Sequence, residues 1–214
     1  MHTEDELLKM IDLLEQAYPE AICSLEYKKD YELLFSARLA AQCTDERVNK
    51  TTPALFAKYP SLEALAGADI GDIEQIIHPC GFFRTKARDI VAAANMILSE
   101  FGGRVPDTMD ELLRLPGVGR KTANLMLGDI FNKPAIVVDT HCIRLTNRIG
   151  LAHTKDPAKI ETELRKILPP EKSSDFCHRL VLHGRAVCPA RAPMCEICTI
   201  AALCDTGRDR FSTN

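Results

Sequence analysis

Helix-start signals recur along this chain, and they constrain its fold more than any other feature of the sequence. Thr3 with Glu6, and Thr108 with Glu111, have the capping-box spacing, in which a hydroxyl and a carboxylate each satisfy a backbone N–H at a helix start. Between such signals, apolar residues recur with the 3.6-residue period of a helix. The pattern predicts an all-α fold.

The remaining local signals agree with this interpretation. Asp156 followed by Pro157 is typical of an N-cap with proline at the first helical position. The only short apolar run that could be extended is Ala135–Val138, and Asp139 and Thr140 close it after four residues. We expect an ordered connection there rather than a sheet strand. Local signals alone predict no domain boundary.

Composition excludes several classes of protein. The chain has 214 residues, of which 46% are hydrophobic, so it can bury a core. No apolar run approaches the roughly 20 residues that a membrane span requires. The N-terminus is acidic and helix-periodic, unlike an export signal, so we expect an intracellular protein, either cytoplasmic or associated with a bacterial nucleoid.

Charge is unevenly distributed along the chain. The formal net charge is −3, but residues 1–32 hold nine acidic and three basic side chains, whereas residues 114–148 hold six basic and two acidic ones. Residues 177–214 hold five arginines and three acidic side chains. A local basic face of this kind can bind phosphates, although a solvated helix face has the same appearance in sequence.

Four of the nine cysteines lie within 17 residues near the end of the chain, with the spacing C-x6-C-x2-C-x5-C. Four thiolates can hold an iron–sulfur cluster or a tetrahedral zinc ion. Zinc sites usually present two close cysteine pairs and this segment has one, so we favour the cluster; zinc and simple packing remain alternatives. We expect the other five cysteines to be small buried apolar residues. The four clustered cysteines are Cys188, Cys195, Cys198 and Cys204.

The segment Leu115–Ala123 predicts a helix–hairpin–helix within about residues 108–130. We expect Gly117 and Gly119 to allow positive φ and close approach, so that free N–H groups at the second helix start can face a phosphate. Lys121 follows this turn. The positive helix end and Arg120 should favour its neutral amine, the form that attacks an electrophilic carbon. The alternatives are an ordinary glycine cap and a solvated lysine.

Asp139 follows the buried apolar run directly. A carboxylate in that position is costly unless it is paired or used in chemistry. Sequence reasoning leaves two roles open for it, a functional carboxylate or the N-cap of a helix that begins near Thr140.

Several motifs together resemble the endonuclease III family of DNA base-excision-repair glycosylases. They are Leu-Pro-Gly-Val-Gly-Arg-Lys-Thr-Ala at 115–123, Val-Asp-Thr-His at 138–141, Leu-His-Gly-Arg at 182–185, and the four-cysteine segment. Their order and spacing agree with the family over residues 4–206. The resemblance implies a bilobal all-α fold, with a six-helix barrel over residues 24–134 and a 4Fe-4S cluster lobe formed by residues 1–23 and 135–214. DNA would lie in the cleft between the lobes.

The resemblance also implies residue roles. The lysine matching Lys121 attacks the sugar C1′, and the aspartate matching Asp139 supports departure of the base. Gln42 matches a glutamine that fills the space of the extruded base, and Phe82 falls where a leucine wedge is common. The remaining expected DNA contacts are Pro116, Gly117, Val118, Gly119, Arg120, His141, Arg144, Arg185 and Arg191.

The function implied is a bifunctional glycosylase and AP lyase that removes oxidised pyrimidines from duplex DNA. A monofunctional adenine mismatch glycosylase of the same fold is an alternative, but proteins resembling it usually lack the lysine. A non-catalytic iron–sulfur module for DNA binding or electron transfer would need neither Lys121 nor Asp139. We expect a monomer whose partner is damaged double-stranded DNA, with no membrane partner.

Overall fold

The computed structural model describes residues 2–212, and this part of the chain is helical with no β-strand. The all-α prediction is confirmed. None of these helices is both long and apolar enough to cross a membrane. The α-helices are α1 (Glu4–Ala17), α2 (Asp30–Leu39), α3 (Asp45–Lys58), α4 (Leu62–Ala66), α5 (Ile70–Ile77), α6 (Phe83–Glu100), α7 (Met109–Leu112), α8 (Arg120–Asp129), α9 (Thr140–Ile149), α10 (Pro157–Ile167), α11 (Ser173–Ala186) and α12 (Asp205–Ser212).

The chain separates into two compact units. One is Cys23–Phe131, which we call the hairpin unit; the other combines the residues up to Ile22 with those from Asn132 onward, and we call it the cysteine unit. The domain boundaries expected from sequence, with a barrel over 24–134, stay a prediction.

Helices α2–α8 build the hairpin unit. Its longest helix, α6, packs against α4 and α5, while α8 packs against α2. Helix α2 is buried on most of its surface because α3, α6 and α8 pack against it. Its side chains Leu33, Leu34, Phe35 and Leu39 are almost completely buried. This packing fixes the helix that follows the hairpin on a rigid base.

The cysteine unit is built from α1 and α9–α12. Helix α11 packs against both α1 and α9. The run Ala135–Val138 is buried and leads into α9 without forming a strand, as the sequence predicts. Gly184 lets α11 approach α9 closely, because a Cβ there would lie 2.6 Å from His141 Nδ1 and 2.8 Å from Arg144 Nη2.

The predicted helix starts are present, with one difference in geometry. Thr3 and Glu6 form the complete capping box. Thr108 also accepts a hydrogen bond from the N–H of Glu111, but its hydroxyl donates to the Glu111 carboxylate at 2.7 Å. The prediction for the second half of that capping box is therefore wrong, because the carboxylate accepts its hydrogen bond from the hydroxyl and not from the backbone N–H of Thr108. Asp156 caps α10 as predicted.

Candidate active site

The hairpin lies between α7 and α8. Leu115 is buried and anchors the turn, and its carbonyl accepts from Val118 N at 3.1 Å. Gly119 is the N-cap of α8 and has no side-chain oxygen to offer. The first N–H groups of α8 are therefore not satisfied by an N-cap side chain, which is the arrangement that suits an anion at a helix start.

The two hairpin glycines differ. Gly117 has φ +75°, and a Cβ there would lie 2.6 Å from Arg38 Nε and 2.7 Å from Asp89 Oδ2. These two side chains form an ion pair of 2.7 Å, so the hairpin rests on a charged brace. Gly119 has φ −104° and open space around its Cβ position. The expectation of positive φ at Gly119 is wrong, because its backbone is extended as an N-cap requires.

Lys121 is exposed in the first turn of α8. Its ammonium lies near Cys23: burial raises the pKa of the Cys23 thiol to about 12, and Lys121 is among the groups that oppose this rise. Lys121 is the second residue of α8, so it directly follows the start of that helix; its catalytic role stays a prediction.

Gln42 and Phe82 share an unusual backbone. Among residues 2–212, only Gln42 (φ 56°), Phe82 (φ 48°) and Asn132 (φ 51°) are non-glycine residues with positive φ. Both Gln42 and Phe82 are exposed, and the Phe82 side chain is 67% exposed although it is large and apolar. Strained, exposed residues of this kind are characteristic of functional positions.

Asp139 is the N-cap of α9. Its Oδ1 accepts a hydrogen bond of 2.7 Å from Cys142 N, and the residue is half-buried. The N-cap role predicted as one alternative is confirmed. One carboxylate oxygen is engaged in this bond, which fixes the side chain in one orientation; its catalytic role stays a prediction.

Arg144 and His141 lie one helical turn apart on α9 and contact each other through Arg144 Nη2 and His141 Nδ1 at 3.1 Å. The same Nη2 donates to the carbonyl oxygens of Gly184 and Cys188, each at 3.1 Å. Arg144 therefore holds the start of the cysteine segment, a role that its sequence position did not indicate. The predicted DNA contacts of Arg144 and His141 stay predictions, as do those of Arg185 and Arg191, which are exposed.

The four clustered cysteines line one pocket, together with Arg148 and His183. Arg148 donates to Cys188 Sγ at 3.1 Å and to the Pro189 carbonyl at 2.8 Å, and Cys198 Sγ lies 3.4 Å from His183 Nε2. Sequence reasoning missed Arg148 and His183. The signal for Arg148 was its spacing of four residues from Arg144, which puts both on one face of α9.

The side chains that line this pocket do not converge on one point. Within residues 2–212, no three His, Cys, Asp or Glu side chains converge closely enough to hold a single metal ion. Burial raises the pKa of Cys198 to about 11, and the neighbouring cysteines add to that effect.

All nine cysteines are free thiols. Of the five others, Cys80, Cys142 and Cys177 are buried as expected, whereas Cys23 and Cys43 are only half-buried.

The chain is similar to known DNA repair proteins. A family profile described as "HhH-GPD superfamily base excision DNA repair protein" matches residues 35–170. Endonuclease III of Synechocystis sp. is 49% identical over 197 residues, which are 92% of this chain and 90% of that protein. Endonuclease III of Bacillus subtilis is 39% identical over 201 residues, which are 94% and 92% of the two chains.

The chain belongs to the endonuclease III family. A solved structure described as a trapped endonuclease III–DNA covalent intermediate matches this fold with a TM-score of 0.91 and 39% identity, covering 99% of this chain and 100% of that one. As a member of the endonuclease III family, the protein is an enzyme of base excision repair, a DNA glycosylase with AP lyase activity. The resemblance drawn from the sequence motifs is confirmed, and neither alternative function is favoured.

Proposed function

We propose that this enzyme removes oxidised or ring-saturated pyrimidines, such as thymine glycol, from duplex DNA and then cleaves the strand at the resulting site. The observation that carries the proposal is an exposed lysine, Lys121, in the first turn of α8, directly after a hairpin with an uncapped helix start. A phosphate bound by those N–H groups would bring the neighbouring sugar to the amine.

Lys121 is the proposed nucleophile. Its neutral amine forms a bond to C1′ while the glycosidic bond breaks and the damaged base leaves with the bonding electron pair; the nitrogen of this adduct then loses a proton. The sugar ring opens as the C1′–O4′ bond breaks and O4′ takes up a proton, which gives an imine between Lys121 and C1′. The imine acidifies the protons on C2′; loss of one of them expels the 3′ phosphate by β-elimination. One amine thus accounts for both base removal and strand cleavage.

Asp139 is the proposed carboxylate partner. In its ionised form it stabilises the positive charge that develops on the sugar as the base departs. The hydrogen bond from Cys142 N holds the carboxylate in one orientation, so little reorganisation is needed during the reaction. The N-cap bond and the chemical role are compatible, because the bond leaves the second carboxylate oxygen for other contacts.

Extrusion of the damaged nucleotide comes before this chemistry. A base within a duplex cannot offer C1′ to a side chain, so it must leave the stack, which costs a few kcal/mol and least for damaged bases. Gln42 and Phe82 are exposed on rigid, left-handed backbone and are proposed to occupy the vacated space. Phenylalanine at this position is larger than the leucine common in the family and would insert an aromatic ring between base pairs.

The four cysteines are proposed to hold a 4Fe-4S cluster. The four cysteines line one pocket, and four thiolates are a ligand set that holds such a cluster. Zinc sites usually present two close cysteine pairs, whereas this segment has one, Cys195 and Cys198. The cluster would supply no chemistry to the reaction. Its ligands would order the end of α11, which carries Arg185, and the following loop, which carries Arg191, and these arginines would contact DNA phosphates.

The partner proposed for this chain is double-stranded DNA that contains a damaged base or an abasic site. Two related solved structures are described as endonuclease III–DNA complexes, one of them covalent. The basic residues at 114–148 supply a local charge that suits phosphates in a protein with a net charge of −3.

Borohydride trapping tests the proposal. The wild-type protein, Lys121→Ala and Lys50→Ala are incubated with duplexes carrying thymine glycol, an abasic site, or adenine opposite 8-oxoguanine. Lys50 is a matched control because it is exposed in the same unit and forms an ion pair with Glu46 within its own helix. We expect covalent adducts with the first two duplexes, lost in Lys121→Ala and retained in Lys50→Ala. A trapped adduct with Lys121→Ala, or none with the wild type, would overturn the assignment.

A further inference from the structure

A buried lysine joins the two loops that carry Gln42 and Phe82. Lys86 lies on α6 and is only 1% exposed. Its Nζ donates to the carbonyl oxygen of Leu39 at 2.8 Å and to that of Cys80 at 2.8 Å. Leu39 is the last residue of α2, three residues before Gln42, and Cys80 ends a short 3-10 turn two residues before Phe82.

Both carbonyls lie where a cation is favoured. The last carbonyls of a helix have no partner within the helix and carry the negative end of its dipole, so one ammonium there can satisfy the ends of two elements. The backbone N–H of Lys86 also donates to the Phe82 carbonyl at 3.1 Å. The residue therefore holds the chain on both sides of the 80–82 turn and at the end of α2.

The surroundings of Lys86 exclude a direct chemical role. Burial lowers the pKa of Lys86; the thiols of Cys43 and Cys80 oppose this change, and Arg38 adds to it. Because the side chain is almost fully buried and both carbonyls accept from Nζ, no sugar carbon can reach the amine. An amine so placed can only support neighbouring structure.

We propose that Lys86 is a positioning residue, which fixes the Gln42 loop relative to the Phe82 turn so that both side chains enter the DNA stack together. The inference rests on the proposed wedge role of Gln42 and Phe82. Without the Lys86 ammonium, Gln42 and Phe82 keep their left-handed backbone, but their two loops are no longer hydrogen-bonded to one group. The distance between the two side chains then varies, so they fill the space of one extruded nucleotide less well.

The test compares an abasic site in a duplex with the same abasic oligonucleotide as a single strand, using the single-turnover rate of borohydride-trapped adduct. A single strand has no stack to open and needs no wedge. We expect Lys86→Met to lower the duplex rate by about tenfold and the single-strand rate by less than about twofold, because it removes two buried hydrogen bonds near the wedge and none near Lys121. Lys50→Met is the control and leaves both rates unchanged.

Two further variants keep the test decisive. Lys86→Arg retains the charge and has N–H donors for both carbonyls, so we expect a duplex rate between those of the wild type and Lys86→Met. If the methionine variant does not fold, a lowered duplex rate of Lys86→Arg with an unchanged single-strand rate still tests the inference. In a Phe82→Ala background, loss of the Lys86 side chain should lower the duplex rate further by less than about twofold, because both changes remove the same wedge.

Equal losses on duplex and single strand would assign Lys86 a general structural role and overturn the inference. An unchanged duplex rate would also overturn it. Gln42→Ala and Phe82→Ala separate this failure from that of the proposed function. If these two variants lose duplex activity and the Lys86 variants do not, only the positioning role fails; if neither wedge variant loses activity, the wedge itself is wrong.

Discussion

In the hairpin unit Lys121, Gln42 and Phe82 lie exposed on turns and at a helix start. In the cysteine unit Asp139, His141 and Arg144 are half-buried and bonded to their own unit, although Arg185 and Arg191 of that unit are exposed. Asp139 and Arg144 hold backbone groups in place. The difference teaches that function in the hairpin unit depends on backbone conformation. In the cysteine unit it depends on side chains that also stabilise the fold, so activity and stability should be lost together there more often.

The largest effect, a loss of bound iron together with stability, is expected from substitution of a cysteine in the four-cysteine pocket. Cys204→Ser should lose bound iron and destabilise the cysteine unit by about 3–5 kcal/mol, because binding of a structural metal group is coupled to folding. Iron and sulfide analysis with limited proteolysis of the full chain measures both. Cys23→Ser is the control, since Cys23 lies in the other unit. Full iron content in Cys204→Ser would contradict the proposed ligand set.

Substitutions of Asp139 can separate its stabilising role as an N-cap from its proposed role in catalysis. Asp139→Asn keeps an oxygen for Cys142 N but removes the charge, so we expect base excision to fall about a hundredfold or more with little loss of stability. Asp139→Ala should also lose about 1 kcal/mol of stability, because the N-cap is gone. Single-turnover excision and thermal unfolding measure the two effects.

Asp156→Ala is the matched control for Asp139, since Asp156 caps α10 of the same unit through Ala158 N at 2.9 Å. It should lose similar stability and keep full activity. If Asp139→Asn retained wild-type excision, Asp139 would be an N-cap alone, and the cysteine unit would contribute no carboxylate to the reaction.

The hairpin glycines test whether backbone conformation governs the other unit. Gly117→Ala should weaken binding to any duplex by about tenfold, because alanine is strained at φ +75° and its Cβ would displace the Arg38–Asp89 ion pair. Gly119→Ala has ordinary φ and open space, so the free protein should keep its stability. Affinity for undamaged and damaged duplexes measures the first effect; a loss confined to one lesion would contradict phosphate clamping.

The smallest effects, on the free energy of unfolding, are expected from the two threonines that cap helices, Thr3 and Thr108. Thr3→Ala in the cysteine unit should cost about 1 kcal/mol, since it removes one hydrogen bond of a complete capping box. Thr108→Ala in the hairpin unit should cost less, because its box is incomplete. Chemical denaturation measures both. A larger loss for Thr108→Ala would show that the start of α7 depends on the hydroxyl–carboxylate bond.

Short-range signals in the sequence predicted much of this structure. The caps at Thr3, Asp139 and Asp156 follow from residues within four positions of each other, so they are readable without tertiary information. The hairpin and the four cysteines are equally local. The motifs that resemble endonuclease III then connected these pieces to a function.

Contacts between distant segments could not be predicted in this way. From the sequence alone, Lys86 resembles a surface residue of an amphipathic helix. In the structure it is buried, because the ends of α2 and of the 3-10 turn both contact its ammonium. Arg148 reaches a loop 40 residues away along the chain. The predicted conformation of Gly119 was wrong. A glycine before a helix can be either a left-handed turn residue or an extended N-cap, and the sequence does not distinguish the two.

The left-handed backbone at position 82 also limits which residues relatives can carry there. Valine, isoleucine and threonine branch at Cβ and are strongly disfavoured at φ near 48°, whereas unbranched side chains tolerate it at modest cost and asparagine or glycine at less. Natural variation at this position should therefore move between phenylalanine, leucine and other residues with a single Cβ substituent. A shift in opposite-base preference would then evolve through the length and shape of one side chain, while the turn that presents it stays unchanged.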